Sequence, residues 1–398
     1  VPTFTRVQKE RGDRAAWRVA GLVFRSLLVI VSILAIIGGL FAPELVNLYA
    51  ASFKNVPGKF ELTVLMTRVL FPFFPLVALA AAFMGVLNAC GKFFVPAFSS
   101  ALFNIFSVVT GLMFAWILPQ YGHPAIVGMA IGVVIGGAVQ AFSQLPLLYR
   151  VGYRWYKKTA EDPPWYRESA LKQMLMLMLP SIVGLGATQV NVLINTILAT
   201  REGPGAVSWL SYSFRLMQFP IGIFGVSIAA ATLPRVSRLF VDGNLDGVKH
   251  QLTQSLKNVF TINLPASAGL GFLGIPIIQM LFEYGRFAPS DTRQTSWALA
   301  AYAIGLTAYS AVKVLVPACY AMNRTRQAVI SSVLSVGVTI GFNLILVQQM
   351  SFVGLALGTS IAAFFNAIYL MAILRRYLAK MELLRAFFTH LLIALVMG

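Results

Sequence analysis

Long apolar runs follow one another along this chain, separated by short polar or charged connections. Each run is long enough to cross the hydrocarbon core of a bilayer as a helix, which takes about 20 residues. Ten such spans can be marked, over residues 17–42, 62–89, 95–118, 125–149, 173–200, 206–232, 257–282, 296–320, 327–348 and 352–374, and an eleventh begins near Ala386. The pattern therefore predicts an all-α polytopic membrane protein.

Four short sequence patterns recur in the same order along the chain. The pairs are Val1–Arg6 with Leu233–Arg238, Pro43–Tyr49 with Pro276–Phe282, Asn88–Lys92 with Asn323–Arg326, and Val127–Gly132 with Val353–Gly358, so the offset stays between 226 and 235 residues. Both copies keep the same membrane orientation. This predicts an internal parallel repeat of the first four spans in the last four, as in transporters built from two like halves. Because Val1 matches a residue that follows the sixth span, we expect two further helices before Val1.

The repeat and the connections divide the chain into two predicted lobes. We expect an N-terminal lobe over residues 1–150, a cytoplasmic linker over 151–172 and a C-terminal lobe over 173–377, followed by a cytoplasmic turn and the start of a truncated span over 378–398. The linker is rich in aromatic and cationic residues, which is typical of a segment anchored at lipid headgroups. A first docking surface for an anionic lipid head is the alternative.

Charge is distributed unevenly across the membrane. The chain is 58% hydrophobic and 11% charged, against about 25% charged in soluble domains. Of its 31 Lys and Arg residues, 22 lie in the connections on one side, 5 on the other side and 4 within the spans. The positive-inside rule places the richer side, which includes residues 1–18, in the cytoplasm. This asymmetry accounts for the net charge of +18 and excludes nucleic-acid binding as the primary role.

The stretch from Ala206 to Pro234 carries a cation near the middle of a span. Arg215 lies about ten residues from its start, where an unpaired charge facing lipid costs at least ~2.5 kcal/mol. Polar or small residues recur around it at spacings of three and four and share its helical face: Ser208, Ser211, Tyr212, Gln218 and Gly222. Pro220, Gly222 and Gly225 follow Arg215, which predicts a kink or an opened turn in the same span. We interpret this face as the wall of a cation-lined cavity. An arginine that pairs with a neighbouring helix for structure alone is the alternative.

Three further cations and two amides lie within the spans. Arg25 and Arg68 are close to span ends, where snorkelling is the alternative to cavity lining. For Lys313 the same two roles stay open. Asn191 and Asn195 share one face of the fifth span, which suits either cavity lining or helix–helix contact. Because no Asp or Glu lies inside a span, these positions favour an anionic ligand such as a phosphate. They also leave no carboxylate proton relay.

Motifs for catalysis, cofactors or metals are not visible in the sequence. It contains no Ser-His-Asp set, nucleophile elbow or P-loop. Cys90 and Cys319 fall at cytoplasmic span ends, where reduced structural thiols are expected, and the three histidines are not clustered with other metal ligands. We therefore expect a transporter rather than an enzyme, with no cofactor and no metal site.

Four segments of the chain resemble one known family. They are Arg68–Ala97, Leu179–Thr200, Ser211–Arg238 and Val312–Arg326, and the run RLMQFPIGIFGV that starts at Arg215 is fairly specific. Over nearly its whole length the chain is similar to the MurJ/MviN lipid II flippases of the multidrug/oligosaccharidyl-lipid/polysaccharide (MOP) exporter superfamily. The resemblance implies a two-lobed, MATE-like helical bundle of fourteen helices. The ten spans here would be helices three to twelve, so the first two helices and the last would be missing.

The resemblance also implies a function and a site. Arg215 matches the essential cavity arginine of the family's eighth helix, whereas the family's other essential arginines and its acidic partner belong to the helices expected before Val1. The implied activity is translocation of lipid II, the undecaprenyl-diphosphate-linked muropeptide, from the cytoplasmic to the periplasmic leaflet of the bacterial inner membrane by alternating access. We expect a monomer among membrane lipids, and a monovalent counter-ion is left open.

Two alternative functions stay open at this point. One is a related MOP exporter of drugs or of other polyprenyl-linked glycans, which would need an intramembrane acidic residue that binds Na⁺ or H⁺. The other is a membrane-embedded lipid-transferring enzyme, which would need cytoplasmic acidic clusters for Mg²⁺.

Overall fold

The structure is a computed structural model. It describes residues 2–154 and 189–378 together with positions 176 and 186, and these residues are helices and turns without a strand. The chain divides into two compact units, Val1–Ile182 (unit 1) and Val183–Gly398 (unit 2). Most of the predicted linker, half of the fifth span and the truncated eleventh span lie outside the described residues, so the lobe boundaries stay a prediction.

Unit 1 contains seven helices within its described residues. They are α1 (Pro2–Leu40), α2 (Ala42–Ala50), α3 (Lys59–Leu70), α4 (Phe73–Ala89), α5 (Phe94–Ile117), α6 (Ala125–Phe142) and α7 (Leu145–Arg150). The N-terminal half of α1 packs on α4 and on the segment after α7. The ring of Trp17 lies 5.9 Å from that of Tyr153, which follows α7, and 5.2 Å from that of Phe4 at the start of α1. A left-handed residue, Gly12 with φ 80, breaks α1 near its start. Glycine is favoured there because it has no Cβ.

Unit 2 is built around its longest unbroken helix. Its described helices are α8 (residues 189–201), α9 (Ala206–Pro220), α10 (Val226–Val241), α11 (Leu245–Phe272), α12 (Gly274–Phe282), α13 (Pro289–Ala321) and α14 (Thr325–Leu378), with a π-helical turn, Ile221–Gly225, between α9 and α10. The helix α13 is the most deeply buried of the candidate spans. It supplies residues to the cores shared with α9, α10, α11 and α14.

The helix α14 is a hairpin of two arms. Ser351 interrupts it with φ 53 and ψ −142. Ser335 Oγ of the first arm donates to the carbonyl oxygen of Ala362 in the second at 3.2 Å, and a Cβ at Gly354 would run into the backbone of Leu346. The two arms are therefore antiparallel, as expected for the predicted spans 327–348 and 352–374.

Candidate membrane spans agree with the predicted ones across the described residues. Seven helical stretches are long and apolar enough to cross a membrane, or eight if α11 and α12, bent by 73°, count as one broken span. The stretch Thr325–Leu378 counts once among them, although its two arms match two predicted spans. The prediction of an all-α polytopic protein is confirmed.

The predicted repeat reappears in the bounds of the helices. The end of α1 and both ends of α2 shift by 232 residues onto the end of α11 and both ends of α12. The ends of α4 and α13 are related by the same offset, and a left-handed residue follows each, Gly91 with φ 71 and Asn323 with φ 56. The sequence match that paired Asn88 with Asn323 was therefore three residues out of register, because short polar turns between apolar helices align loosely.

Small residues pack the last two helices of each repeat closely. In unit 1 a Cβ at Gly132 of α6 would lie 2.5 Å from the Cα of Gly111 in α5, and in unit 2 one at Gly358 would run into the amide oxygen of Asn343. These glycines stand at equivalent places in the motif that the sequence predicts to repeat. Small residues let helix backbones approach in a membrane, so the motif encodes this packing.

Candidate substrate-binding face

The helix α9 has one buried face and one exposed face. Its N-terminus follows Gly205, which has φ 104 and lies so close to the indole ring of Trp209 that a Cβ would be 2.6 Å from it. The buried positions recur every three or four residues, as expected for one helical face, at Ala206, Leu210, Ser213, Met217 and Pro220. The sequence therefore turns the remaining positions of α9 away from the core of unit 2.

Two side chains one helical turn apart fasten α9 to α13. Trp209 Nε1 donates to Asp291 Oδ1 at 2.8 Å. Ser213 Oγ lies 2.7 Å from the carbonyl oxygens of both Trp209 and Thr295, and its single proton is donated to one of them at a time. Both contacts with α13 join residues 82 positions apart, so α9 and α13 run parallel.

Arg215 stands on the exposed face together with its two predicted neighbours. Ser211, Arg215 and Gln218 are all exposed. Among the described residues Arg215 has no hydrogen-bond or ion-pair partner. A brace to a neighbouring helix, the alternative role for Arg215, thus lacks a partner in the part of the chain described.

Tyr212 leaves the face that the sequence assigned to it. Its ring lies 4.7 Å from that of Phe282 and 5.7 Å from that of Phe287. A residue three positions before Arg215 can lie on the Arg215 face of α9 or beside it. The contact with the two phenylalanine rings shows that the Tyr212 side chain points to the end of α12. The polar face of α9 is therefore narrower than the sequence suggested.

The break predicted after Arg215 is a π-helical turn. Pro220 lacks an N–H, so the carbonyl four residues before it loses its usual donor. The chain widens over Ile221–Gly225 before α10 continues. Gly225 packs against α13, where a Cβ would lie 3.1 Å from Ser310 Oγ. Such turns inside helices are frequent at functional sites.

The two amides of α8 are engaged in helix contacts. Asn195 Nδ2 donates to Asn191 Oδ1 at 3.5 Å, and Asn343 Nδ2 donates to Asn195 Oδ1. Asn343 is completely buried in the first arm of α14. The geometry thus matches helix–helix contact, the second of the two roles left open for these amides.

Lys313 is exposed but far from Arg215 in depth. Because α9 and α13 are parallel with an offset of 82 residues, Arg215 is level with Trp297 of α13. Lys313 follows sixteen residues later, which is about 24 Å along a helix that rises 1.5 Å per residue. Arg215 and Lys313, the two cations predicted within the spans of unit 2, therefore do not form one cluster.

Arg68 and Arg25 of unit 1 both have local roles. Arg68 Nε donates to the carbonyl oxygen of Gly39 at 3.2 Å. Arg25, exposed on α1, lies close enough to Tyr153 for its charge to lower the tyrosine pKa, although burial raises that pKa more strongly. The two arginines act at different places along α1, since Arg25 and Gly39 are fourteen residues, or about 21 Å, apart on that helix.

Three carboxylates of unit 2 to which the sequence assigned no role form hydrogen bonds near helix ends. Glu202 Oε2 accepts from Ser351 Oγ and Glu283 Oε2 from Thr292 Oγ1, each at 2.6 Å. Asp291 accepts from Trp209 and, through Oδ2, from the backbone N–H of Ala288 at 2.9 Å. A proline at the first position of α13 and an acid at the third are a helix-start signal that is visible in the sequence, and this signal could have pointed to Asp291.

A separate groove of unit 2 lies on the far side of α13. It has a volume of about 870 Å³ and an almost wholly apolar lining from α11, α13 and the second arm of α14. At 100° per residue, its lining positions Trp297, Ala300 and Ile304 stand roughly opposite Asp291 and Thr295, which face α9. The groove is therefore not part of the Arg215 face. Among the described residues no group of His, Cys, Asp and Glu suited to a metal was found.

The repeated helices and the broken span give the chain a fold that it shares with solved membrane transporters. The fold is similar to a solved multidrug resistance MATE family transporter of the MOP superfamily, with a TM-score of 0.79 and 18% identity over 96% of this chain and 85% of that chain. A solved lipid II flippase MurJ in an inward closed conformation gives a TM-score of 0.82 and 24% identity over 99% of this chain and 79% of that chain.

Sequence comparison narrows the class to one family. Residues 1–398 match the family model for the lipid II flippase MurJ. A probable lipid II flippase MurJ of Bdellovibrio bacteriovorus is 33% identical over 95% of this chain and 71% of its own length, and one of Vibrio cholerae is 34% identical over 85% and 64%. The chain belongs to the lipid II flippase MurJ family. It covers less than two thirds of the Vibrio cholerae relative.

Proposed function

We propose that this protein translocates lipid II across the bacterial inner membrane, from the cytoplasmic to the periplasmic leaflet. Family membership and the MOP fold support a transporter in place of an enzyme. Arg215, Ser211 and Gln218 would bind the diphosphate and the adjoining sugar. The observation that carries this proposal is the exposed guanidinium of Arg215, which has no partner among the described residues.

The chemistry of the face suits a lipid-linked diphosphate. A guanidinium presents a planar fork of donors that matches phosphate oxygens. Ser211 and Gln218 add a hydroxyl and an amide over seven residues of helix, or about 10 Å. That length allows contacts with both a diphosphate and the first sugar, while the long apolar tail stays in lipid.

Alternating access would use the two lobes as moving bodies. We propose lobes over residues 1–150 and 173–377 joined by a cytoplasmic linker over 151–172, acting as a monomer. A monovalent counter-ion, if the cycle uses one, has no carboxylate to bind away from the ends of the described spans. Arg25, Arg68 and Lys313 would guide the anionic head electrostatically, and Lys313 lies too far along unit 2 to contact it together with Arg215.

Complementation of cells that depend on the protein tests this function. At normal membrane abundance Arg215→Ala should fail to support cell-wall synthesis, and Arg215→Lys should support it only weakly, because lysine keeps the charge and loses the fork. Arg235→Ala is the matched control, since it removes an exposed arginine from α10, on the continuation of the same span. Full complementation by Arg215→Ala at normal abundance would overturn the proposed site.

A further inference from the structure

Arg215 is directed by contacts on the opposite side of its own helix. Ser213 and Arg215 are two residues apart, or about 200° around a helix, so a bond that holds Ser213 against α13 points Arg215 away from α13. Ser213 is fully buried and its hydroxyl lies 2.7 Å from the carbonyl oxygen of Thr295. The direction of Arg215 thus depends on a residue that is nowhere near its guanidinium.

A second contact one turn earlier prevents α9 from pivoting about the first. Trp209 Nε1 donates to Asp291 Oδ1 at 2.8 Å. The two contacts are about 6 Å apart along α9 and reach positions of α13 that are also four residues apart. The two hydrogen bonds add to the apolar packing of α9 in unit 2, and because they lie along one line they hold its rotation and depth more firmly than one of them would.

The acceptor of the Trp209 bond is itself held in place. Asp291 Oδ2 accepts from the backbone N–H of Ala288 at 2.9 Å, so the carboxylate also caps the start of α13. The indole ring of Trp209 lies 5.0 Å from the ring of Phe352, just past the hairpin turn of α14. The N-terminal part of α9 is therefore joined to both α13 and α14.

The C-terminal end of α9 opens into a wider turn. Five residues after Arg215 the helix becomes the π-helical turn Ile221–Gly225, in which Gly222 is exposed and a Cβ there would meet nothing within 4 Å. Arg215 thus lies between this turn and the two hydrogen-bonded residues Trp209 and Ser213.

We propose that Trp209 and Ser213, through Asp291 and the backbone of Thr295, are positioning residues for Arg215 in substrate binding. This inference rests on the proposed function. Neither side chain needs to touch the substrate, because both point into unit 2. Their contribution is to present the guanidinium fork in one orientation, which matters for a donor that binds phosphate oxygens in pairs.

A double-mutant cycle on the whole protein in detergent tests the proposal, with lipid II binding as the readout. Trp209→Phe keeps an aromatic ring against Phe352 and removes the N–H donor, and Ser213→Ala removes the hydroxyl. Combined, they should weaken binding about tenfold, the scale of one lost charge-assisted contact. In an Arg215→Ala background the same pair should have no further effect, because residues that act through one group are not additive.

Control variants separate positioning from loss of fold. Ser213→Thr keeps the hydroxyl and should bind lipid II more tightly than Ser213→Ala, close to the wild-type level. Ser331→Ala removes a buried hydroxyl that is bonded to its own helix in α14 and should leave binding unchanged. The thermal unfolding midpoint and membrane abundance are measured for every variant.

The outcomes distinguish this inference from the proposed function. If Arg215→Ala itself binds lipid II normally, the proposed function fails. If Arg215→Ala weakens binding but the Trp209 and Ser213 variants bind normally, or weaken binding equally with and without Arg215, the positioning role is overturned. A loss that disappears in the Arg215→Ala background supports it.

Discussion

Arg68 Nε donates to the carbonyl oxygen of Gly39 at 3.2 Å, and Pro43 explains why. In an unbroken helix the N–H four residues later would bond the Gly39 carbonyl, but position 43 is a proline and has no N–H. A cation at the C-terminal end of a helix is also favoured by the helix dipole. Arg68 thus completes the end of α1, a role for which a position near a span end was the only hint.

Replacing Arg68 should reduce stability more than substrate binding. Arg68→Ala removes one charge-assisted but exposed hydrogen bond, so we expect a loss of about 1 kcal/mol in the free energy of unfolding. In a Pro43→Ala background, where an N–H is available to Gly39, the loss should be smaller. Thermal unfolding and lipid II binding are measured side by side. A clear loss of binding at unchanged stability would return Arg68 to the substrate site.

The amide pair of α8 should behave as a helix–helix contact. Asn195→Ala leaves the buried Asn343 without its partner and should destabilise the protein by roughly 1–2 kcal/mol, the upper range for interhelical hydrogen bonds in membranes. Asn191→Ala is the matched control, because its contact with Asn195 is long at 3.5 Å, and it should cost less. Equal stability of the two variants, with lipid II binding lost in Asn195→Ala, would instead favour cavity lining.

Cys90 should react slowly with thiol reagents at neutral pH. Burial raises the pKa of its thiol, the negative charge of Asp13 raises it further, and Lys92 partly opposes both. A raised pKa means less thiolate at a given pH, and the thiolate is the reactive form. In a Cys319→Ser background, the alkylation rate should therefore rise with pH along a curve shifted above that of an exposed cysteine.

Charge variants around Cys90 give this prediction a direction. Asp13→Asn should speed alkylation and Lys92→Gln should slow it, both measured at one pH between 7 and 8, where an ordinary thiol is partly ionised. The same rate for wild type and Asp13→Asn would show that Asp13 does not act on Cys90, and that the start of α1 packs differently against the end of α4.

Features that depend on local periodicity were predictable from the sequence. The apolar runs gave the spans, and the three- and four-residue spacing around Arg215 gave an exposed face that the structure reproduces at Ser211 and Gln218. The repeat was visible because helix ends carry Gly, Pro and Asn at fixed places. Its register needed the backbone, since left-handed residues such as Gly91 and Asn323 mark equivalent turns better than side-chain similarity does.

Features that depend on which helices touch were not predictable. The hydrogen bonds of Arg68 to Gly39, Trp209 to Asp291 and Asn343 to Asn195 join residues 29, 82 and 148 positions apart. A polar residue on an apolar helix needs a polar partner, but its own sequence does not show which of many residues that partner is. For this reason the sequence left Arg68 and Asn195 open between two roles, and it gave no role to Trp209.

The central claim, that Arg215 binds the diphosphate of lipid II, is tested most directly by substrate discrimination. The affinity of the wild type and of Arg215→Ala is measured for undecaprenyl diphosphate and for undecaprenyl monophosphate, which have the same tail and differ by one phosphate. The wild type should prefer the diphosphate by roughly tenfold or more, as expected if one charge-assisted contact is lost, and this preference should shrink markedly in Arg215→Ala. An undiminished preference in Arg215→Ala at equal abundance would contradict the account.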